Sequence, residues 1–215
     1  MSARTTWILV VCLVAATVAG SAWAYTRLPE TVPIHWNLEG KADGFGSRAV
    51  AVGILPAAMV GMALLLAALP WLSPKKFEID SFRETYHYII VLIIGLFAAL
   101  HAVILAQTMN RELNMIRLLL CVLFVFFALM GNVMGKIRRN FYVGIKVPWT
   151  LASDRVWNET HRLAAWLWVA AGVVGLLFAW TPWFLVGFGV LGVAVVVPIL
   201  YSLMLYKRLQ KSGEL

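Results

Sequence analysis

Charge is scarce in this chain, and so is cysteine. Of 215 residues, 18 are Lys or Arg and 10 are Asp or Glu, and there are two cysteines. Both cysteines, Cys12 and Cys121, lie inside apolar runs, where neither can staple a loop, so a disulfide framework is excluded. No serine or cysteine has a recognisable catalytic setting, and no apolar run holds a pair of carboxylates. Nucleophilic hydrolases and proton relays built on carboxylates therefore have no residues to work with. No internal repeat relates the first half of the chain to the second.

Apolar residues fill the space. They make up 62% of the sequence, with a mean hydropathy of +0.84. Six uninterrupted apolar segments run near residues 7–25, 49–72, 86–107, 115–134, 163–180 and 183–206. Each is about long enough to cross a hydrocarbon core, which a soluble domain of this size does not tolerate. The expectation is an all-α integral membrane protein with six transmembrane helices. Pro56 and Pro70 interrupt the second run and Pro198 the sixth, and prolines at those depths kink a helix. Thr181-Pro182 alone separates the last two runs, which predicts antiparallel neighbours.

The basic residues choose the orientation. One side of the membrane receives Arg4, Lys75, Lys76, Arg83, Lys136, Arg138, Arg139, Lys146, Arg155, Arg162, Lys207, Arg208 and Lys211. The other receives Arg27, Lys41, Arg48, Arg111 and Arg117, so both termini are expected in the cytoplasm. The same bias accounts for the net charge of +8 without nucleic acid, for which no binding motif is present. Tyr25, Trp71, Tyr86, Trp180, Trp183 and Tyr206 mark the span ends as an aromatic belt. Arg4, a short apolar core and Ser21-Ala22-Trp23-Ala24 also read as a secretory signal with its cleavage site. Retention is the preferred reading, because the run through Tyr25 is long enough to span. The chain then divides into an N-terminal unit (1–72, with an extracytoplasmic loop at 26–48), a third span with its flanks (73–114) and a C-terminal unit (115–215, with a cytoplasmic loop at 135–162).

Both loops are ordered in composition. In the outer one, Val32, Ile34 and Trp36 alternate with Pro33, His35 and Asn37, which predicts a short extended segment with one apolar face. Gly40, Asp43-Gly44 and Gly46 follow as turn chemistry. His35, Glu39 and Asp43 match no strong ligand spacing, so no metal or other cofactor is expected.

The inner loop is the most informative stretch: GNVMGKIRRNFYVGIKVPWTLASDRVWNETHRL from Gly131 to Leu163. About thirty residues are far more than a connection requires. Asn132 ends the fourth span, where an amide can bond across helices. Gly131, Gly135 and Gly144 permit close approach or unusual dihedrals. Pro148 keeps Val147 out of a helix, and Thr150 or Ser153 can cap the next one. From Ser153 that helix sets Asp154, Trp157 and His161 along one face, with Arg155, Glu159 and Arg162 on another at ion-pair spacing. Two readings stand: a juxtamembrane helix with Trp149 and Trp157 at the lipid headgroups, or that anchor combined with a binding site.

His35 lies outside, while His87 and His161 lie inside, so they cannot share a site across the membrane. His101 sits within the third span, roughly 10 Å from its outer end. It is a candidate for a transporter, or for a neutral bond to a neighbouring helix. His161, Asp154 and His87 are the polar groups on which a cytoplasmic-face enzyme acting on lipid headgroups would depend.

The two loops together resemble the SdpI-type immunity protein family. The outer segment, Leu28-Pro29 through Val32-Pro33-Ile34-His35-Trp36-Asn37 with Gly40, Asp43 and Gly44, resembles an N-terminal uncharacterised domain often found with that family. The inner one resembles its C-terminal signature: Gly131-Asn132, Met134-Gly135-Lys136, Asn140, Gly144-Ile145, Pro148-Trp149-Thr150-Leu151, Trp157 and Thr160-His161-Arg162. Lys146-Val147 stands where the family more often has Arg-Thr, and Arg139 where a proline is frequent. The resemblance implies a multi-pass protein of the bacterial inner membrane, non-enzymatic, that protects against a secreted peptide toxin. It also implies a possible second partner, a cytoplasmic repressor protein. The expected contact residues are the inner signature, including Lys136, Arg138, Lys146 and Asp154, together with the outer loop.

Overall fold

The computed structural model describes residues 1–37, 39–72, 79–110 and 112–215, so Lys75, Lys76 and Arg111 of the charge tally lie outside the described residues. Among the described residues seven α-helices and one hairpin follow in order: α1 (Ala3–Tyr25), β1 (Thr31–Trp36), β2 (Ala42–Ser47), α2 (Arg48–Leu72), α3 (Arg83–Met109), α4 (Met115–Met134), α5 (Pro148–Ala152), α6 (Asp154–Phe178) and α7 (Phe184–Ser212). A 3-10 turn, Ile79–Phe82, leads into α3. Six of the helices are long and apolar enough to cross a membrane. Their exposed surface is apolar, with Leu64, Trp71, Trp166 and Leu177 all well exposed, as lipid requires.

The helices form two groups of three, α1-α2-α3 and α4-α6-α7, joined where α3 packs on α4. The largest buried cluster crosses that seam, linking Met59, Ile89, Ile90 and Ile94 to Met130, Met134, Ile137 and Trp157. Within the second group, α4 and α6 approach closely at small residues. A Cβ on Gly131 would lie 2.7 Å from the Val169 nitrogen, and one on Gly172 would lie 2.6 Å from the Phe124 carbonyl oxygen.

Two of the three helix prolines are compensated by a neighbouring helix. Pro70 has no N–H for the carbonyl four residues back, Leu66, and the Tyr86 hydroxyl of α3 donates to that oxygen at 2.5 Å. Pro198 frees the carbonyl of Ala194, and the Trp168 indole of α6 donates to it at 3.2 Å. Inside lipid such a carbonyl has no water to turn to, so each aromatic supports its proline. Tyr86→Phe is therefore expected to cost about 1–3 kcal/mol of stability. In a Pro70→Ala background, where the new N–H takes the Leu66 carbonyl, the same change should cost much less. A double-mutant cycle in thermal unfolding measures this, and equal costs in the two backgrounds would refute the pairing.

The extended segment expected in the outer loop is one strand of a hairpin, β1 paired antiparallel with β2. Asn37 organises its turn: its side-chain oxygen accepts from the Glu39 and Lys41 N–H groups at 3.0 and 2.9 Å, and Gly40 adopts φ +77. Glycines read as turn residues, Gly44 and Gly46, lie instead within β2. A Cβ on Gly44 would come 2.8 Å from the His35 Cβ. The predicted single apolar face is also broken. Val32 and Pro33 are both buried, whereas Ile34 is 42% exposed. The cause is the register, which shifts between Pro33 and His35 and again before Trp36, so side chains no longer alternate simply.

Two ends of the bundle are distinguishable. One gathers the N-terminus beside Glu84, α5, and the penultimate residue Glu214 beside Arg155. The other carries the hairpin and the α6–α7 connection. There Arg117, otherwise counted only as a charge, donates to the Ala179 and Thr181 carbonyls at 2.7 Å each and lies over the Phe184 ring. It closes the C-terminus of α6, where carbonyls are left without helical partners.

Candidate functional site

The segment between α4 and α6 is folded on its own bonds. Asn140 is fully buried and its amide is completely used: Nδ2 donates to the Arg138 and Val143 carbonyls, and Oδ1 accepts from the Tyr142 and Val143 N–H groups. Val147 is extended, as Pro148 dictates, and its N–H donates to the Thr150 hydroxyl at 3.1 Å. That hydroxyl lies within reach of the Ile145 and Val147 carbonyls at 2.8 and 2.9 Å. Lys146 turns its ammonium back onto the Phe141 and Tyr142 carbonyls, each at 3.0 Å. Arg139 donates to the Leu151 carbonyl and pairs with Asp154 at 2.7 Å, tying the loop to both α5 and the start of α6. Ser153 caps α6, accepting from the Val156 N–H at 3.4 Å.

Beneath this loop lie Trp157 and His161, both wholly buried and stacked with ring centroids 4.1 Å apart. The Trp157 indole donates to the Ile137 carbonyl at 2.8 Å. The His161 Nε2 accepts the Ile145 N–H at 2.9 Å, and Nδ1 donates to the Trp157 carbonyl at 2.8 Å. These partners define a neutral imidazole with its proton on Nδ1. Gly144 crosses the face of the pair with φ +117; a Cβ there would run into the His161 Nε2 and meet Trp157 ring atoms at 3.1 and 3.2 Å. Trp149 on α5 reaches the other way, its indole donating to Ser202 of α7 at 2.5 Å.

Several sequence expectations change here. Trp157 is not at the lipid headgroups, because it is sealed in the core, and only Trp149 is half-exposed. Asn132 is exposed at the end of α4 instead of reaching across helices, the interhelical position being taken by Gly131. Asp154 does not share the buried face of Trp157 and His161; its side chain is 71% exposed and engaged with Arg139. Arg162 does pair with Glu159 at 2.6 Å, but Arg155 pairs with Glu214. Gly135 closes α4, and Thr160 is buried with its hydroxyl unpartnered. Lys136 and Arg138 are exposed.

The C-terminal contact carries a pH dependence. The Ser212 hydroxyl, and after it Arg155, hold the Glu214 carboxyl below its ordinary range. A depressed carboxylate contributes above its unfolded value and is lost as pH falls through its folded one. The tail should therefore be protected from carboxypeptidase at neutral pH and released once pH falls below the ordinary carboxylate range. Arg155→Gln should weaken protection at neutral pH, and a tail equally protected in that variant would contradict the tether.

At the hairpin end, His35 and Asp43 contact each other across the strands, Nδ1 to Oδ1 at 2.5 Å, while Glu39 pairs with Lys41 at 2.9 Å. The three candidate ligands thus do not converge, and among the described residues no group of three His, Cys, Asp or Glu side chains could hold a metal. His101 is 2% exposed, and its Nε2 lies 2.7 Å from the Ser21 hydroxyl of α1. Ser21, the first residue of the stretch that reads as a cleavage site, is thus engaged inside the bundle. The enzyme arrangement also fails to assemble. Both His161 nitrogens are committed to backbone, Asp154 is held by Arg139, and His87 faces the Met1 carbonyl at 3.3 Å in a separate cavity beside Trp7 and Tyr86.

Six membrane-length helices with one folded loop at either end define a multi-pass membrane protein whose most ordered loop residues are internal braces. Residues 136–202 match the SdpI/YfhL protein family. Residues 12–60 match a Domain of unknown function (DUF1648). Over 208 residues the chain is 27% identical to Immunity protein SdpI of Bacillus subtilis (strain 168), an alignment covering 95% of this chain and 96% of that protein. No solved structure matches the chain. The expected resemblance holds, and with it the placement as a multi-pass protein of the bacterial inner membrane.

Proposed function

We propose that this chain is a non-catalytic immunity protein that protects its cell from a secreted peptide toxin. The observation that carries the reading is the near full-length relation to Immunity protein SdpI. The self-bonded loop supports a non-catalytic role, since its buried histidine has no nitrogen left for a substrate. The end bearing both termini is the cytoplasmic one, because Arg4, Arg83, Lys136, Arg138, Arg155, Lys207, Arg208 and Lys211 gather there, against Arg27, Lys41, Arg48 and Arg117 at the hairpin end. The hairpin then faces the side from which a secreted toxin arrives. Exposed Lys136 and Arg138 give the cytoplasmic end a basic surface for anionic lipid or an acidic repressor protein.

Expression in a toxin-sensitive strain that lacks its own immunity protein tests the reading, with survival scored against purified peptide toxin. Normal insertion without protection would overturn it. Capture of a repressor at the membrane should weaken as salt rises, since exposed charges are screened over about 10 Å at 0.1 M. Capture unchanged by salt would remove the basic surface from the mechanism.

A further inference from the structure

Two cavities follow one another along the seam between α3 and α4, the helices that join the two groups. One is a groove of about 490 Å³ lined by Val91, Gly95 and Ala99 of α3 and Cys121, Val125 and Leu129 of α4, with no charged side chain in its walls. The other, of about 400 Å³, opens where α3 begins and α4 ends, between Thr85 and the run Gly135, Lys136 and Arg138. Both carboxylates of this second cavity have partners: Asp80 pairs with Arg83, and Glu84 has the N-terminal amine at 3.7 Å. Lys136 and Arg138 are exposed and have no ion pair among the described residues. Helical periodicity puts the two cavities on one face. Thr85 and Leu92, which also lines the groove, are seven residues apart on α3, two turns of helix. Leu129 and Lys136 are likewise seven apart, and the helical backbone of Gly135 carries the last turn on to Lys136. Asn132, exposed near the end of α4, stands between them.

The spacing is that of a lipid. Axial rise sets Val91 about 9 Å and Ala99 about 21 Å from Thr85. A bilayer measures roughly 40–45 Å with its headgroups, which puts the midplane about 20 Å from either surface. A groove that begins under a basic cavity and stops near the midplane has the length of one acyl chain. The polarity matches as well, with apolar walls at the depth of the tail and two unpaired cations at the depth of the phosphate. An apolar helix seated in the groove would leave those cations without a partner. A zwitterionic headgroup brings a cation of its own towards them, whereas an anionic one brings phosphate alone. We propose that the α3–α4 seam binds one anionic phospholipid from the leaflet at this end, with its phosphate on Lys136 and Arg138, its glycerol region beside Asn132 and a chain in the groove. Such a lipid bridges the two groups of three helices where they are joined. The inference goes beyond the toxin-immunity reading and stands without it.

The test reconstitutes the full chain in nanodiscs of phosphatidylcholine with a minor fraction of phosphatidylglycerol, and counts the lipid retained per chain by native mass spectrometry. Wild type is expected to retain one phosphatidylglycerol in preference to phosphatidylcholine. The double variant Lys136→Gln, Arg138→Gln should retain it about tenfold less or weaker, the scale of removing two cations at a membrane surface. Gly95→Leu separates a built site from a diffuse basic surface. A Cβ there meets nothing within 4 Å, so the larger side chain enters the groove without a clash at its root and keeps every charge. A similar loss of phosphatidylglycerol is expected. Ala99→Leu, one turn further along the groove, takes its place if Gly95→Leu fails to insert. Wild type with no preference between the two lipids overturns the site, and so does full retention by the charge variant. Full retention by the groove variant also overturns it, leaving a basic surface alone. A mass of two chains with no lipid retained would give the groove to a second copy and overturn it too.

Discussion

Trp157→Ala is expected to lower unfolding stability by about 3–5 kcal/mol, the range for deleting a large buried aromatic side chain. The indole is wholly enclosed, so truncation leaves a cavity in the cluster that joins the two helix groups. It also strands the Ile137 carbonyl and removes the ring on which His161 stacks. Trp157→Phe keeps most of the volume and loses the N–H, so about 1–3 kcal/mol is expected from the unpaired carbonyl. Thermal unfolding in nanodiscs separates the two variants. If both cost under about 1 kcal/mol, in the range of ordinary surface substitutions, the residue is not the brace described here.

Gly144→Ala should come close to that effect with a single added methyl group. Its φ of +117 lies where L side chains are strained, at about 1–3 kcal/mol. The methyl would also collide with the His161 ring, and displacing that ring breaks the bond from the Ile145 N–H, for about another 1–3 kcal/mol. The two sources predict different couplings. The collision should ease when Trp157 is truncated, because the rings can then shift, whereas the backbone strain should remain. A double-mutant cycle of Gly144→Ala with Trp157→Ala is therefore expected to be less than additive. Full additivity would mean that Gly144 and the ring pair do not touch.

The helical frame was legible because apolar length is a one-dimensional property. All six spans were found, and α7 proved longer, running to Ser212, since its Lys207, Arg208 and Lys211 continue a helix beyond the apolar run. The inner loop was legible as important but not as to how. Composition marks Asn140, Thr150, Trp157 and His161 as polar or amphipathic, and such residues read naturally as surface groups awaiting a partner. In the fold their partners are backbone atoms of the same loop, which no spacing rule reveals. The hairpin was half-visible: alternation from Val32 to Trp36 indicated extension, but the register shift at Pro33 depends on pairing with β2. Tyr86 and Trp168 went unnoticed as proline supports, although a signal existed in retrospect. Each proline left one carbonyl open in lipid, and an aromatic donor on another helix was available to close it.

Survival at matched membrane levels is the most direct test of the central claim, that this fold is an immunity device and that its folded inner loop is needed for the task. Wild type, Gly144→Ala and empty vector would be compared in the sensitive strain across a toxin dilution series, with inserted protein quantified in each. The account predicts protection by wild type and reduced protection per inserted molecule by Gly144→Ala. Death of wild-type cells at the vector's toxin dose, with the protein correctly inserted, would contradict it.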